Sequence, residues 1–131
     1  MAGITKKKIL LVDDSLLDRK LLINVLKKAE VANDILQAEN GEEALTILAN
    51  NVQDICLILL DWQMPRMSGI ELMEGIIKVP EVAIIPIVMV TASGSEENKK
   101  YAWKVNPNLA GYIVKPYKAD VVLQTIKPFL K

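Results

Sequence analysis

The chain of 131 residues contains no histidine and only one cysteine. Without an imidazole it has no histidine general base and lacks the commonest transition-metal ligand. A lone thiol excludes an internal disulfide and fits a reducing compartment. That cysteine, Cys56, stands inside the apolar run Ile55 to Leu60 and reads as a small buried apolar residue. Aromatic residues are scarce at 5%, and the 16 Lys and Arg equal the 16 Asp and Glu, for a formal net charge of +0. With the basic residues also scattered, the footprint of a nucleic-acid binder is missing, and no nucleic-acid partner is expected. The short Lys6-Lys7-Lys8 run reads as a solubilising lead-in to the first strand. No apolar run is long enough to span a bilayer and no signal-peptide core opens the chain, so a cytoplasmic protein with no membrane contact is expected. Nothing resembles an interdomain linker either. The expectation is a single domain over 1–131, with its core at 8–130.

What is present is an alternation of apolar runs of strand length with segments of helical periodicity, the pattern of repeated βαβ units. It predicts strands near 8–13, 34–38, 55–60, 85–91 and 110–114, and helices near 16–29, 41–50, 68–78, 95–105 and 118–127. Ser15 is the expected N-cap of the first helix. Its apolar stripe is Leu22, Val25, Leu26 and Ala29, with Arg19, Lys20, Lys27 and Lys28 expected in solvent. Asn40-Gly41 marks the turn into the second helix. Pro128 should end or kink the last helix and leave Phe129 and Leu130 to pack as a tail.

Two of the apolar runs end on acid. Asp13 and Asp14 follow Ile9 to Val12, and Asp61 follows Ile55 to Leu60. Strands buried on both faces of a parallel sheet give such unbroken runs. The carboxyl edge of the sheet, where they emerge, is where open α/β folds bind ligands. On neighbouring strands about 5 Å apart, two carboxylates repel by roughly 3 kcal/mol at an effective dielectric near 20. Three acids gathered there require a cation.

Four segments together resemble response-regulator receiver domains, the stand-alone chemotaxis type among them. They are Val12-Asp13-Asp14-Ser15, Leu60 to Pro65 with Met67-Ser68-Gly69, Val90-Thr91-Ala92, and Tyr112-Ile113-Val114-Lys115-Pro116. Each is common alone; the four in this order are specific. The resemblance implies an α/β fold of the flavodoxin and chemotaxis-receiver type. In it a doubly wound five-stranded parallel sheet, in strand order 2-1-3-4-5, is flanked by five helices, and no effector domain is recognisable.

The resemblance also implies roles. Asp61 accepts a phosphoryl group, as a carboxylate nucleophile can. Mg²⁺ is held by Asp14, Asp61 and the backbone carbonyl of Gln63, with Asp13 acting largely through a water, an all-oxygen set that suits this ion. Lys115, before a cis-Pro116, supplies positive charge, and the Thr91 hydroxyl donates to the phosphoryl group. Thr91 and Tyr112 form the switch, with Tyr112 moving from exposed to buried. Gln63 and Ser93 flank the path of the attacking water. The phosphoryl donor would be a phosphohistidine of a sensor kinase or phosphotransfer protein. The output would be contact with a downstream protein through the fourth helix, fifth strand and fifth helix, with Trp103 and Tyr117 as contact candidates and the chain a monomer or weak dimer. It would modify and hydrolyse itself without being a turnover enzyme. One departure from the chemotaxis type is the longer connection between Thr91 and Tyr112, which carries Asn106-Pro107-Asn108.

Other readings give different expectations. A phosphohydrolase using an aspartyl-phosphate wants a second acid two residues after the nucleophile, where Gln63 stands. A nucleotide or flavin module wants a glycine-rich loop after the first strand, where Asp13-Asp14-Ser15 stands. A docking module that works unphosphorylated would have no need of the full acid, Thr and Lys set.

Overall fold

The structure, a computed structural model, describes residues 6–131. Five strands, β1 (Lys8–Val12), β2 (Ile35–Ala38), β3 (Ile55–Leu60), β4 (Ile87–Thr91) and β5 (Gly111–Val114), form one sheet in the order β2-β1-β3-β4-β5. All four pairings are parallel. The α-helices are α1 (Leu16–Lys28), α2 (Gly41–Asn51), α3 (Gly69–Ile77), α4 (Pro80–Ala83), α5 (Glu96–Val105) and α6 (Ala119–Ile126).

Six α-helices among the described residues correct the expectation of five. Proline disfavours a helical conformation in the residue before it, and Val79 accordingly leaves the helix at φ −108°, ψ 107°. Pro80 then starts the extra turn, where its fixed φ suits the first helical position. The face expected around the fourth helix and fifth strand is therefore formed here by α5, β5 and α6.

Alternation along the strands builds two cores. Leu10, Val12, Ile58, Leu60, Ile87 and Met89 turn one way and pack with α2, α3 and α5 residues such as Leu48, Met73 and Ala102. Ile9, Leu11, Leu57, Leu59, Val88 and Val90 turn the other way, onto Leu22 and Leu26 of α1 and Val122 and Ile126 of α6. Successive strand side chains point to opposite faces, so β3, buried at all six positions, feeds both cores. Cys56 is buried, as expected, while Ala29 is exposed at the C-cap of α1 and lies outside the apolar stripe. Phe129 and Leu130 pack against the second core after a short 3-10 turn, Lys127–Phe129.

Local chemistry starts the first two helices where the sequence indicates. Ser15 and Asn40 cap α1 and α2, accepting from the amides of Asp18 and Glu43. The unusual Asn106-Pro107-Asn108 connection closes on itself: Asn106 Oδ1 accepts from the Asn108 amide at 3.0 Å, a turn for which Asn is suited.

Gly69 is the tightest of the described glycines. A Cβ there would stand 2.0 Å from the Asp61 carbonyl oxygen, and the Gly69 amide donates to Trp62 O at 2.7 Å. The loop carrying Gln63 folds back onto the end of β3 through this contact. Since the obstacle is backbone, Gly69→Ala is expected to cost about 2–3 kcal/mol, the upper range for overpacking, measured by urea denaturation.

Candidate functional site

The sheet register assembles the acids. Val12 pairs with Leu60, and the Asp61 amide donates to Val12 O at 2.9 Å, so Asp13 and Asp61 leave adjacent strands side by side. Carboxylate oxygens of Asp13, Asp14 and Asp61 all lie within 4.8 Å of one another. Asp13 and Asp61 are buried, whereas Asp14 is exposed. Asp14 and Gln63 line a common cleft with Trp62, Met64, Pro65 and Ser68.

Lys115 comes to this corner because β5 pairs with β4 and its amide donates to Thr91 O at 2.9 Å. The Lys115-Pro116 bond is cis. Lys115 Nζ sits 2.7 Å from Asp13 Oδ2, 2.8 Å from Asp18 Oδ2 and 3.7 Å from Asp61 Oδ2. Burial alone would push this ammonium down, but its hydrogen bonds to Asp13 and Asp18 and the charges of Asp61 and Asp13 prevail, holding its pKa above the ordinary lysine range. It stays charged at physiological pH.

The Asp61 carboxyl is raised above its usual range, chiefly by burial. Lys115 pulls it down, Asp13 pushes it up, and the Thr91 hydroxyl and Trp62 amide pull it down further. Thr91 itself is 1% exposed at the end of β4, its Oγ1 accepting from the Ser93 amide at 3.2 Å.

Arg19, expected in solvent, is buried. Its Nη1 donates to Asp13 O at 2.6 Å and its Nε to Gln37 Oε1 at 3.0 Å. The long side chain lies inward because the end of β1 offers a carbonyl that needs a donor. It thereby ties α1 to β1 and β2 directly beneath the acids. Asp18 was likewise not read from the sequence as part of the site. Its only signal there is an acid in the first turn of the helix that follows Asp13-Asp14, a position that helix dipoles also favour.

Tyr112 is half-buried: its hydroxyl donates to the Ser93 carbonyl and its ring stacks on Trp103 with centroids 6.0 Å apart. Trp62, next to Asp61, packs against Tyr101 at 6.2 Å. Aromatic pairs at such separations add specific contact to simple burial. Helix α5 therefore touches both the acid loop and β5. Tyr117 is partly buried against the second core and borders a groove with Asp18, Leu21 and Lys115.

Comparison with known proteins decides among the readings. The sequence profile of the response regulator receiver domain matches residues 9–127. The chain belongs to this family. It is 35% identical over 123 residues to a chemotaxis protein CheY homolog of Campylobacter jejuni, covering 94% of this chain and 92% of that protein. The solved chemotaxis response regulator CheY4 of Vibrio cholerae superposes with a TM-score of 0.82 at 29% identity, covering 96% of this chain and 100% of the other. The Mn(2+)-bound form of response regulator Rcp1 superposes with a TM-score of 0.76 at 26% identity, covering 93% of this receiver and 90% of Rcp1. The receiver domain is thus a signalling module of two-component systems, with the phosphoacceptor role that this entails, and the phosphohydrolase alternative is not favoured. No helix among the described residues is long and apolar enough to cross a membrane.

Proposed function

We propose that Asp61 is the phosphoacceptor of this receiver and that Asp13, Asp14, Thr91, Lys115 and the Gln63 carbonyl serve its phosphorylation. One observation carries the reading: Asp61 is poised at the sheet edge, with its carboxylate among two further acids and 3.7 Å from Lys115 Nζ.

The donor set fits Mg²⁺. Its carboxylates are all-oxygen ligands, one of them exposed, and hard cations of this kind keep several waters and bind through few carboxylates. Asp13, Asp14 and Asp61, with the Gln63 carbonyl, would hold the ion. When bound, Mg²⁺ would neutralise charge on the acids and on phosphoryl oxygens.

Phosphoryl transfer asks the protein mainly for positioning and charge stabilisation. An Asp61 carboxylate oxygen forms the new bond to phosphorus as the bond from phosphorus to the donor breaks, and the donor group leaves with that electron pair. Lys115 supplies a compact cation beside the equatorial oxygens, and the Thr91 hydroxyl supplies a donor from β4. These 131 residues hold no histidine, so a donor phosphohistidine lies outside them, as on a sensor kinase or phosphotransfer protein. In the resting arrangement the Tyr112 hydroxyl is engaged by the Ser93 carbonyl two residues after Thr91. Movement of Thr91 toward a phosphoryl group would disturb this partner and bias the α5–β5–α6 face, through which the receiver contacts its downstream protein. A ligand shifts such an equilibrium only by its differential affinity for the two states.

The reading predicts that acetyl phosphate with Mg²⁺ adds one phosphoryl group by intact mass. The adduct should be destroyed by hydroxylamine, as an acyl phosphate is and a phosphoserine is not. A chelator should suppress uptake at least about tenfold, given the several kcal/mol a metal ion contributes to phosphoryl charge stabilisation. No adduct, or an adduct stable to hydroxylamine, would overturn the reading.

A further inference from the structure

Asp18 stands outside the residues just assigned, yet its Oδ2 is 2.8 Å from Lys115 Nζ, closer than the 3.7 Å between that ammonium and Asp61 Oδ2. The ordinary duty of an acid at this place is filled otherwise. Asp18 is the third residue of α1, from which a capping-box carboxylate reaches back to the N-cap amide. Here the Ser15 amide donates to Asp13 Oδ1 at 2.9 Å instead. In α3 the corresponding Glu71 does close such a box with Ser68. The carboxylate of Asp18 has turned away from its own helix terminus and across the sheet edge to Lys115.

We propose that Asp18 is a positioning residue that draws Lys115 away from Asp61 and so weakens the hold of the site on a phosphoryl group. The inference rests on Asp61 as phosphoacceptor. Of the three N–H donors on an ammonium, two are committed to Asp13 and Asp18. The separation of 3.7 Å from Asp61 Oδ2 is too long for a hydrogen bond. Asp13 belongs to the cluster of three acids, so a cation held by that cluster would share the charge that now holds Lys115. Asp18 lies outside the cluster and keeps its hold. The third N–H is free, but a phosphoryl oxygen on Asp61 can use it only by drawing the ammonium over, against the hold of Asp18.

The test uses beryllofluoride, a tetrahedral phosphoryl mimic, titrated in Mg²⁺ and followed through Trp62 emission. Asp18→Asn is expected to bind about fivefold more tightly, the factor matching loss of one partly exposed ion pair, while Asp18→Glu remains near wild type. On a Lys115→Met background, Asp18→Asn should change nothing. In the ion-free protein, the Lys115 Nζ nitrogen resonance should shift on Asp18→Asn. Unchanged or weaker binding by Asp18→Asn overturns the inference, as does a gain that persists without Lys115, which would assign the effect to net charge alone. A wild type that binds no beryllofluoride removes the phosphoacceptor reading and this inference with it; wild-type binding with an indifferent Asp18→Asn removes the inference alone.

Discussion

Asp61→Asn should abolish phosphoryl uptake from acetyl phosphate and at the same time make the ion-free protein more stable, by about 1 kcal/mol, the scale of an imperfectly compensated buried polar group. Both halves follow from the same geometry. The amide has no anionic oxygen to attack phosphorus, so intact mass should show no adduct over a time in which the wild type is fully modified. The charge of Asp61 is costly because burial and Asp13 act against it and Lys115 offsets them only in part. A carboxyl whose folded pKa is raised binds its proton more tightly folded than unfolded. Its favourable contribution is therefore present below the ordinary carboxylate pKa near 4 and is lost as pH rises through the elevated folded value. The stability advantage of Asp61→Asn should grow across that window and then level off, as read from urea midpoints in chelator. An advantage independent of pH would show that desolvated charge is not its origin.

Lys115→Met is expected to cost about 3–5 kcal/mol in chelator, the range for removing one partner of a buried ion pair. Lys115 is the ammonium among three carboxylates, those of Asp13, Asp18 and Asp61, and its side chain is 16% exposed. Millimolar Mg²⁺ should recover a large part of that loss, because the ion and the ammonium relieve the same repulsion. The variant should accordingly bind Mg²⁺ more tightly than the wild type while taking up phosphoryl more slowly. Equal stabilisation of both proteins by Mg²⁺ would argue that Lys115 and the ion do not share a field.

The stronger sequence signals were those that burial writes directly. Unbroken apolar runs located β1, β3 and β4, since both faces of these strands are covered, and the acids that end two of the runs marked the site. The cap at Ser15 and the turn at Asn40-Gly41 were legible because both act within a few residues, and the structure makes Asn40 a cap as well. Pro80 carried a signal for the extra helix that went unread: the expected helix stops at 78, and the four residues Pro80–Ala83 are too few to show a periodicity of their own. Arg19 and Asp18 were illegible for another reason. Their partners, the Asp13 carbonyl, Gln37 and Lys115, are brought up by other strands, and no local pattern distinguishes a charge that will be enclosed from one that will be hydrated.

The shared ownership of β3 by the two cores also makes the position of Asp61 hard to adjust. Deleting one residue from Ile55–Leu60 would retract the acid by about 3.3 Å, one strand rise, and would exchange the inward sides of every residue before it. Drift in the reach of the acid is thus coupled to wholesale repacking, so substitutions around a fixed Asp61 are the accessible route by which such a chain can change the chemistry of that carboxylate.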